Sequence, residues 1–206
     1  MSVTRPFATR QLPFFLTAPT PCPYLEGRKE RKIFTRVDSE QTAHLNNILT
    51  HAGFRRSQSI LYRPACELCS ACKSARIPVS EFKASRTQRR VLKRNSDLLR
   101  IARPAEAMPE QFALLSRYLN TRHGDGDMYP PSEEQFTNFL TCEWADTHFY
   151  GFRQQGKLVA VAVTDQLNDG LSAVYTFFDP TLPERSLGVM ALLWQIEQCQ
   201  RLQLPY

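Results

Sequence analysis

Three cysteines, Cys66, Cys69 and Cys72, follow a C-x2-C-x2-C spacing, and Cys22 lies upstream of them. Together these four thiols can supply the ligands of a tetrahedral zinc or an iron-sulfur cluster. They read equally as reduced thiols packed together or as redox-sensitive groups, and residue type alone does not choose among the three. A polycation follows directly. Arg86, Arg89, Arg90, Lys93 and Arg94 fall at i, i+3, i+4, i+7 and i+8, which places five positive charges along one face of a helix. Such a face suits a polyanion, because each cation that neutralises a phosphate releases a condensed counterion; the rival reading is a solvated face with no partner. His44, His51, His123 and His148 are not spaced as a ligand set, and Cys142 and Cys199 sit in apolar helical contexts as packing residues. No Ser-His-Asp or Gly-x-Ser-x-Gly arrangement is present, so a covalent acyl-enzyme is not expected.

These groups need a scaffold, and the chain is long enough for one: 206 residues, 42% hydrophobic, only 8 glycines. The net charge of +6 hides an asymmetry. Residues 1–103 carry 20 Lys and Arg against 7 Asp and Glu, whereas residues 104–206 carry 6 against 13. A basic front half fits nucleic acid better than a membrane, since no amphipathic anchor is evident. No stretch approaches the roughly 20 apolar residues that a membrane span requires, and a cytoplasmic, reducing location is expected.

Periodicity orders the elements. The first 20 residues are expected as an extended arm, residues 26–37 as a strand or short helix, and residues 41–52 as a helix carrying Leu45, Ile48 and Leu49 and ending at Gly53. Residues 59–63 and 75–79 read as strands entering and leaving the cysteine segment, and Ser85 as the cap of the basic helix. The Pro104 to Pro109 segment, where the charge regime changes, is taken as the boundary between an N-terminal basic module, 1–103, and a C-terminal domain, 104–206. Beyond it come helices at 111–120 and 132–142. Strands at 148–153, 157–166 and 171–179 follow, joined by Gln155-Gly156 and Asn168-Asp169-Gly170 turns, and a helix at 186–200 closes the series.

This is an α/β (α+β) pattern. The strand-strand-strand-helix order, with Arg185-Ser-Leu-Gly188-Val-Met at the helix entrance, resembles the acetyltransferase-like fold of the Gcn5-related type, in which backbone N–H groups at that entrance cradle a pyrophosphate. Met190 stands where that signal has Gly or Ala.

A wider resemblance rests on long, ordered motifs. They are Pro21-Cys-Pro-Tyr-Leu25, Gly53-Phe-Arg-Arg-Ser57, Tyr62-Arg-Pro64, Cys66-x2-Cys69-x2-Cys72, Ile77-Pro-Val79, Ser85-x2-Gln-Arg-Arg90, Lys93-Arg-Asn95, Ala162-Val-Thr-Asp165, Gly170-Leu-Ser-Ala-Val-Tyr-Thr-Phe177 and Asp179-Pro180. From about residue 20 onward the chain resembles the bacterial aspartate/glutamate leucyltransferases, relatives of the arginyl-tRNA-protein transferases. The resemblance implies transfer of leucine from leucyl-tRNA to proteins that begin with Asp or Glu, which creates an N-degron. Arginyl transferases have related cysteines to which a cluster is attributed, although Leu25 stands here in place of a second early cysteine. Members of the family continue past the equivalent of Leu204-Pro205-Tyr206 into another strand and an aromatic, basic tail, so a truncated C-terminal domain is expected.

Aminolysis of an ester is downhill and needs no ATP or other cofactor; positioning does most of the work. Asp165 and Tyr175, on neighbouring strands, are the candidates for holding the amine and supporting proton transfer, against the plainer readings of a strand end and a packing residue. Arg76, in the apolar setting Ala75-Arg-Ile77, is the candidate for gripping the acceptor's acidic side chain, against a structural salt bridge. The cationic stripe and Arg185 are assigned to tRNA phosphates. Two rival functions remain: an acyl-CoA-dependent N-acetyltransferase, and a non-catalytic zinc module that binds RNA.

Overall fold

The computed structural model describes residues 12–37, 42–126, 128–140 and 144–206. Among them are five helices and three antiparallel sheets, a mixed α/β architecture. The front sheet has the order β1-β4-β6-β5, from β1 (Phe15–Leu16), β4 (Lys32–Arg36), β6 (Ile60–Pro64) and β5 (Arg55–Ser57). A two-stranded ribbon of β2 (Thr20–Pro21) and β3 (Lys29–Glu30) precedes β4. Helix α1 (Thr42–His51) packs Leu49 with Phe54, Leu61 and Val37, whereas Ile48, expected on the same apolar face, is 51% exposed.

The rear sheet is a meander of β7 (Leu99–Pro104), β8 (Thr147–Gln154), β9 (Lys157–Gln166) and β10 (Leu171–Phe178). Strand β9 is buried from Leu158 to Asp165 without alternation, because helices cover both faces of the sheet. On one face Tyr150, Phe152, Val159 and Ala162 meet Leu187, Met190 and Trp194 of α5 (Leu187–Arg201) and Val91 of α2 (Arg86–Arg94). On the other, Phe149, Val161, Val163 and Phe177 meet Leu114, Leu115 and Leu119 of α3 (Pro109–Arg122) and Phe136 of α4 (Glu133–Leu140). Each fully buried aliphatic or Phe side chain contributes roughly 1.5–3 kcal/mol, so this doubly covered sheet is the main hydrophobic reserve of the chain.

Helix α2 starts where expected. Ser85 Oγ accepts from Gln88 N at 3.2 Å and Gln88 Oε1 accepts from Ser85 N at 2.7 Å, a complete capping box. Two expectations need correction. Residues 75–79 form no strand: Pro78 has no N–H to give a ladder, and the segment is tethered instead by Val79 N donating to Pro205 O at 2.9 Å. The division expected between residues 103 and 104 falls inside β7, whose six residues all pair with β8. Leu99-Arg-Ile-Ala-Arg-Pro104 does not read as a strand because it is an edge strand with Arg100 and Arg103 on opposite faces, which leaves it without an apolar-polar alternation. Among the described residues no helix is long and apolar enough to cross a membrane. Cys142 lies outside the described residues; Cys199 is buried, its thiol pKa raised by burial.

Candidate active-site cleft

Front sheet, cysteine segment and rear sheet together enclose a cleft of about 1320 Å³. Its floor is built on β5 and β9. In Gly53-Phe-Arg-Arg-Ser57 the two arginines alternate across β5, so Arg55 stays exposed while Arg56 turns inward. Arg56 forms a bidentate ion pair with Asp165: Nε donates to Oδ2 at 2.7 Å and NH2 to Oδ1 at 2.9 Å. Thr147 Oγ1 adds a third bond to Asp165 Oδ1 at 2.7 Å, and Arg56 NH1 donates to Phe139 O at 3.1 Å. Both charged side chains are almost sealed from solvent, 2% and 3% exposed. A single network thus ties the front sheet to β8, β9 and α4 across 109 residues of sequence.

Tyr175 stands nearby on β10, edge-on to Phe139 with ring centroids 5.5 Å apart. Burial pushes its phenol up to about 12, so at neutral pH it is a neutral O–H donor. Arg76 is also in the cleft lining, but on an exposed loop rather than an apolar strand. Its guanidinium lies 5.2 Å from the centroid of the Tyr206 ring, and NH2 donates to His51 O at 3.4 Å. His51 completes this lip: its ring nitrogens lie 2.6 Å from Asn47 O and 2.7 Å from Asp169 Oδ2. Both partners are acceptors, so both nitrogens donate only when the ring is protonated, and the Asn47 bond, then the Asp169 bond, raise its pKa.

Asp165, Tyr175, Arg76, Cys66, Cys69 and Cys72 therefore share one cavity. The cysteines do not form a ligand set. Among the described residues no group of three or more His, Cys, Asp or Glu side chains is arranged to hold a metal ion, and Cys66 Sγ instead donates to Arg31 O at 3.8 Å. As arranged, the described residues do not fit zinc or a cluster.

The basic stripe lies apart from this lining, on α2, with Arg86, Arg89, Arg90, Lys93 and Arg94 all exposed. Arg94 is partly engaged through its NH1 donating to Glu184 O. Arg185 is not a free cation: NH1 and NH2 clasp Asp97 Oδ1 and Oδ2 at 2.9 and 3.0 Å. The neighbouring Gly188 has a packing reason, since a Cβ there would meet Phe178 Cε1 at 3.1 Å. The entrance to α5 is thus occupied by internal contacts where a phosphate cradle was expected. Arg56, the residue that closes the cleft floor, was missed; a pair of adjacent arginines in a β-alternating segment was the available signal, but its partner was not.

Two family models match this architecture half by half: "Arginine-tRNA-protein transferase, N terminus" over residues 20–90 and "Arginine-tRNA-protein transferase, C terminus" over residues 110–206. An aspartate/glutamate leucyltransferase of Alcanivorax borkumensis is 64% identical over 195 residues, which is 95% of this chain and 81% of that relative. The chain belongs to the aspartate/glutamate leucyltransferases, within the arginine-tRNA-protein transferase family. Further leucyltransferases agree, from Maricaulis maris at 50% identity and Caulobacter vibrioides at 49%, each covering 99% of this chain and 81% and 75% of the relative. The gap between the two family models, residues 91–109, holds the end of α2 and all of β7, where the chain passes from the front sheet to the rear sheet of this leucyltransferase.

Proposed function

We propose that this protein transfers leucine from leucyl-tRNA to the α-amino group of proteins that begin with Asp or Glu, generating an N-degron in the cytoplasm. The observation that carries this reading is the 64% identity, over 95% of the chain, to a relative named for that activity. The cleft between the halves supports it. Its lining holds Arg55, Arg63, Lys73 and Arg76, while Asp165 is already neutralised by Arg56 and Asp169 faces His51, so the cavity has a surplus of positive charge for an acidic acceptor and an RNA end.

In the transfer the acceptor nitrogen attacks the ester carbonyl carbon, a C–N bond forms, the bond from that carbon to the ribose oxygen breaks, and the amine's proton passes to the departing oxygen. With a pKa of roughly 7.7–8.0 the amine is partly neutral without help from a strong base. Tyr175, as a protonated phenol, donates to the oxygen on which charge develops. Asp165, whose oxygens are filled by Arg56 and Thr147, holds the floor in register rather than accepting that proton. Arg76, exposed on the lip, receives the acceptor's carboxylate. The exposed stripe on α2 meets the phosphates of the tRNA body, and the rear sheet with α5 serves as an acetyltransferase-like half that presents the ester. No cofactor takes part.

Purified protein is incubated with leucyl-tRNA or arginyl-tRNA and peptides starting with Asp, Glu or Ala. Leucine should move, and only onto the acidic starts; transfer of arginine or labelling of the Ala peptide overturns the reading. Tyr175→Phe should lower kcat by about 100-fold with little change in KM, the size expected for one proton or oxyanion donor. Arg76→Ala should erase the preference for acidic starts.

A further inference from the structure

One face of the front sheet carries a row of partly or fully exposed side chains that take no part in the bond-making step. Register places Phe15 of β1 opposite Phe34 of β4, Phe34 opposite Tyr62 of β6, and Tyr62 opposite Arg55 of β5. Side chains directly opposite one another in an antiparallel sheet share a face, so these four form one line across all four strands. The ring pair Phe15–Phe34 confirms the line, with centroids 5.5 Å apart. Leu61, one residue from Tyr62, points the other way and packs with Leu49 of α1, which puts the helix on the opposite face. Phe15 is 48% exposed, Phe34 and Tyr62 are half-buried and Arg55 is exposed. On the same face Lys32 Nζ lies 5.8 Å from the Tyr62 ring centroid, and Arg36 is exposed.

A solvent-facing aromatic row costs stability unless something covers it, and flanking cations say what charge that something bears. Aromatic rings on an open sheet face, interleaved with Arg and Lys, are the arrangement on which unpaired nucleotides stack while their phosphates are neutralised. The row also has a direction. Phe15 and Phe34 lie outside the cleft lining, whereas Tyr62 and Arg55 belong to it, as does Tyr24, which is 78% exposed. A single strand laid along the row therefore ends in the cavity that holds Tyr175.

We propose that the row Phe15, Phe34, Tyr62 and Arg55 is the stacking platform for the unpaired 3′ nucleotides of the donor tRNA, which it guides into the cleft. The proposal rests on the leucyl-tRNA reading above. It divides the labour: α2 grips the tRNA body through phosphates alone, and the front sheet grips the single strand.

The test compares binding of deacylated tRNA with binding of the same tRNA shorn of its last four nucleotides, for the wild-type chain and for Phe15→Ala, Tyr62→Ala, Tyr62→Phe and Arg55→Gln, each checked for folding by circular dichroism. Wild type should bind the intact tRNA at least tenfold more tightly. Phe15→Ala and Tyr62→Ala should each lose about fivefold or more on intact tRNA and nothing on the trimmed one, in line with stacking on one ring; Tyr62→Phe should behave as wild type. Equal binding of the two RNAs by wild type, or alanine variants that keep the full preference, overturns the platform, as does an equal loss on both RNAs or a protein partner seated on this face. Leucine transfer is scored separately. If wild type transfers leucine while the alanine variants keep their KM for leucyl-tRNA, the platform falls alone; if no leucine moves yet trimming still matters, the functional reading falls and the platform stands.

Discussion

Arg56 and the stripe on α2 carry the same kind of charge under opposite physical conditions. Arg56 is 2% exposed and clasps an equally buried carboxylate, so its charge is bound to the fold. The cations of α2 stand in water on a helix with one buried residue, Val91. A buried charge is tolerable only with a matched partner, and removing one member leaves the other uncompensated. A surface charge adds little to folding and remains available for a ligand. The contrast teaches that in a strongly basic half, burial and partners decide which arginines hold the protein together and which hold its substrate.

The sharpest way to break the contrast is Arg56→Ala. It strips Asp165 of both guanidinium bonds, leaving a buried carboxylate with Thr147 as donor but no counter-charge from Arg56, and should cost about 3–5 kcal/mol, read as a drop in urea midpoint, with leucine transfer lost in parallel. Little change in stability would place Arg56 with the surface cations. Arg185 tests the boundary between the classes, since its bidentate partner Asp97 is 49% exposed. Arg185→Ala should cost about 1 kcal/mol or less and leave tRNA affinity unchanged; a fall in affinity would return it to the binding face.

His51 is a weaker internal contact that pH can switch. Its folded pKa is raised by the Asn47 and Asp169 bonds, so its contribution is complete below the unfolded value of 6.5 and is lost as pH rises through the folded value. The melting-temperature advantage of wild type over Asp169→Asn should therefore shrink above that pH; an advantage that grows with pH contradicts the protonated pair. Least of all for stability should be the triple exchange of Arg86, Arg90 and Lys93 to Ala, about 0.5 kcal/mol or less. Its effect belongs to binding, where the slope of log affinity against log salt should flatten by about one per lost phosphate contact.

Most rear-sheet elements were legible because their patterns are local: the turn at Gln155-Gly156, the unbroken apolar run of β9 and the Ser85 cap each speak within a few residues. Strand β7 was not, because an edge strand with an arginine on each face looks like a linker until it finds β8. The cysteines mark the limit of such local signals. Their spacing suggests a ligand set, yet spacing along a loop does not set where thiols point, and Cys66 donates to a backbone carbonyl. Arg185 looked like a phosphate ligand, but Asp97, 88 residues away, reaches it first.

Taken alone, the order of residues determined the family, the basic front and acidic rear, the amphipathic helices and the core strands, since composition, periodicity and ordered motifs are properties of neighbours in the chain. Only the tertiary structure decided that Asp165 is neutralised by Arg56, that Arg76 sits on an exposed lip against Tyr206, and that three aromatic rings from three strands line up toward one cavity. Each of those depends on strand register and burial, which arise when segments far apart in sequence exclude water together, and no window of consecutive residues encodes that meeting.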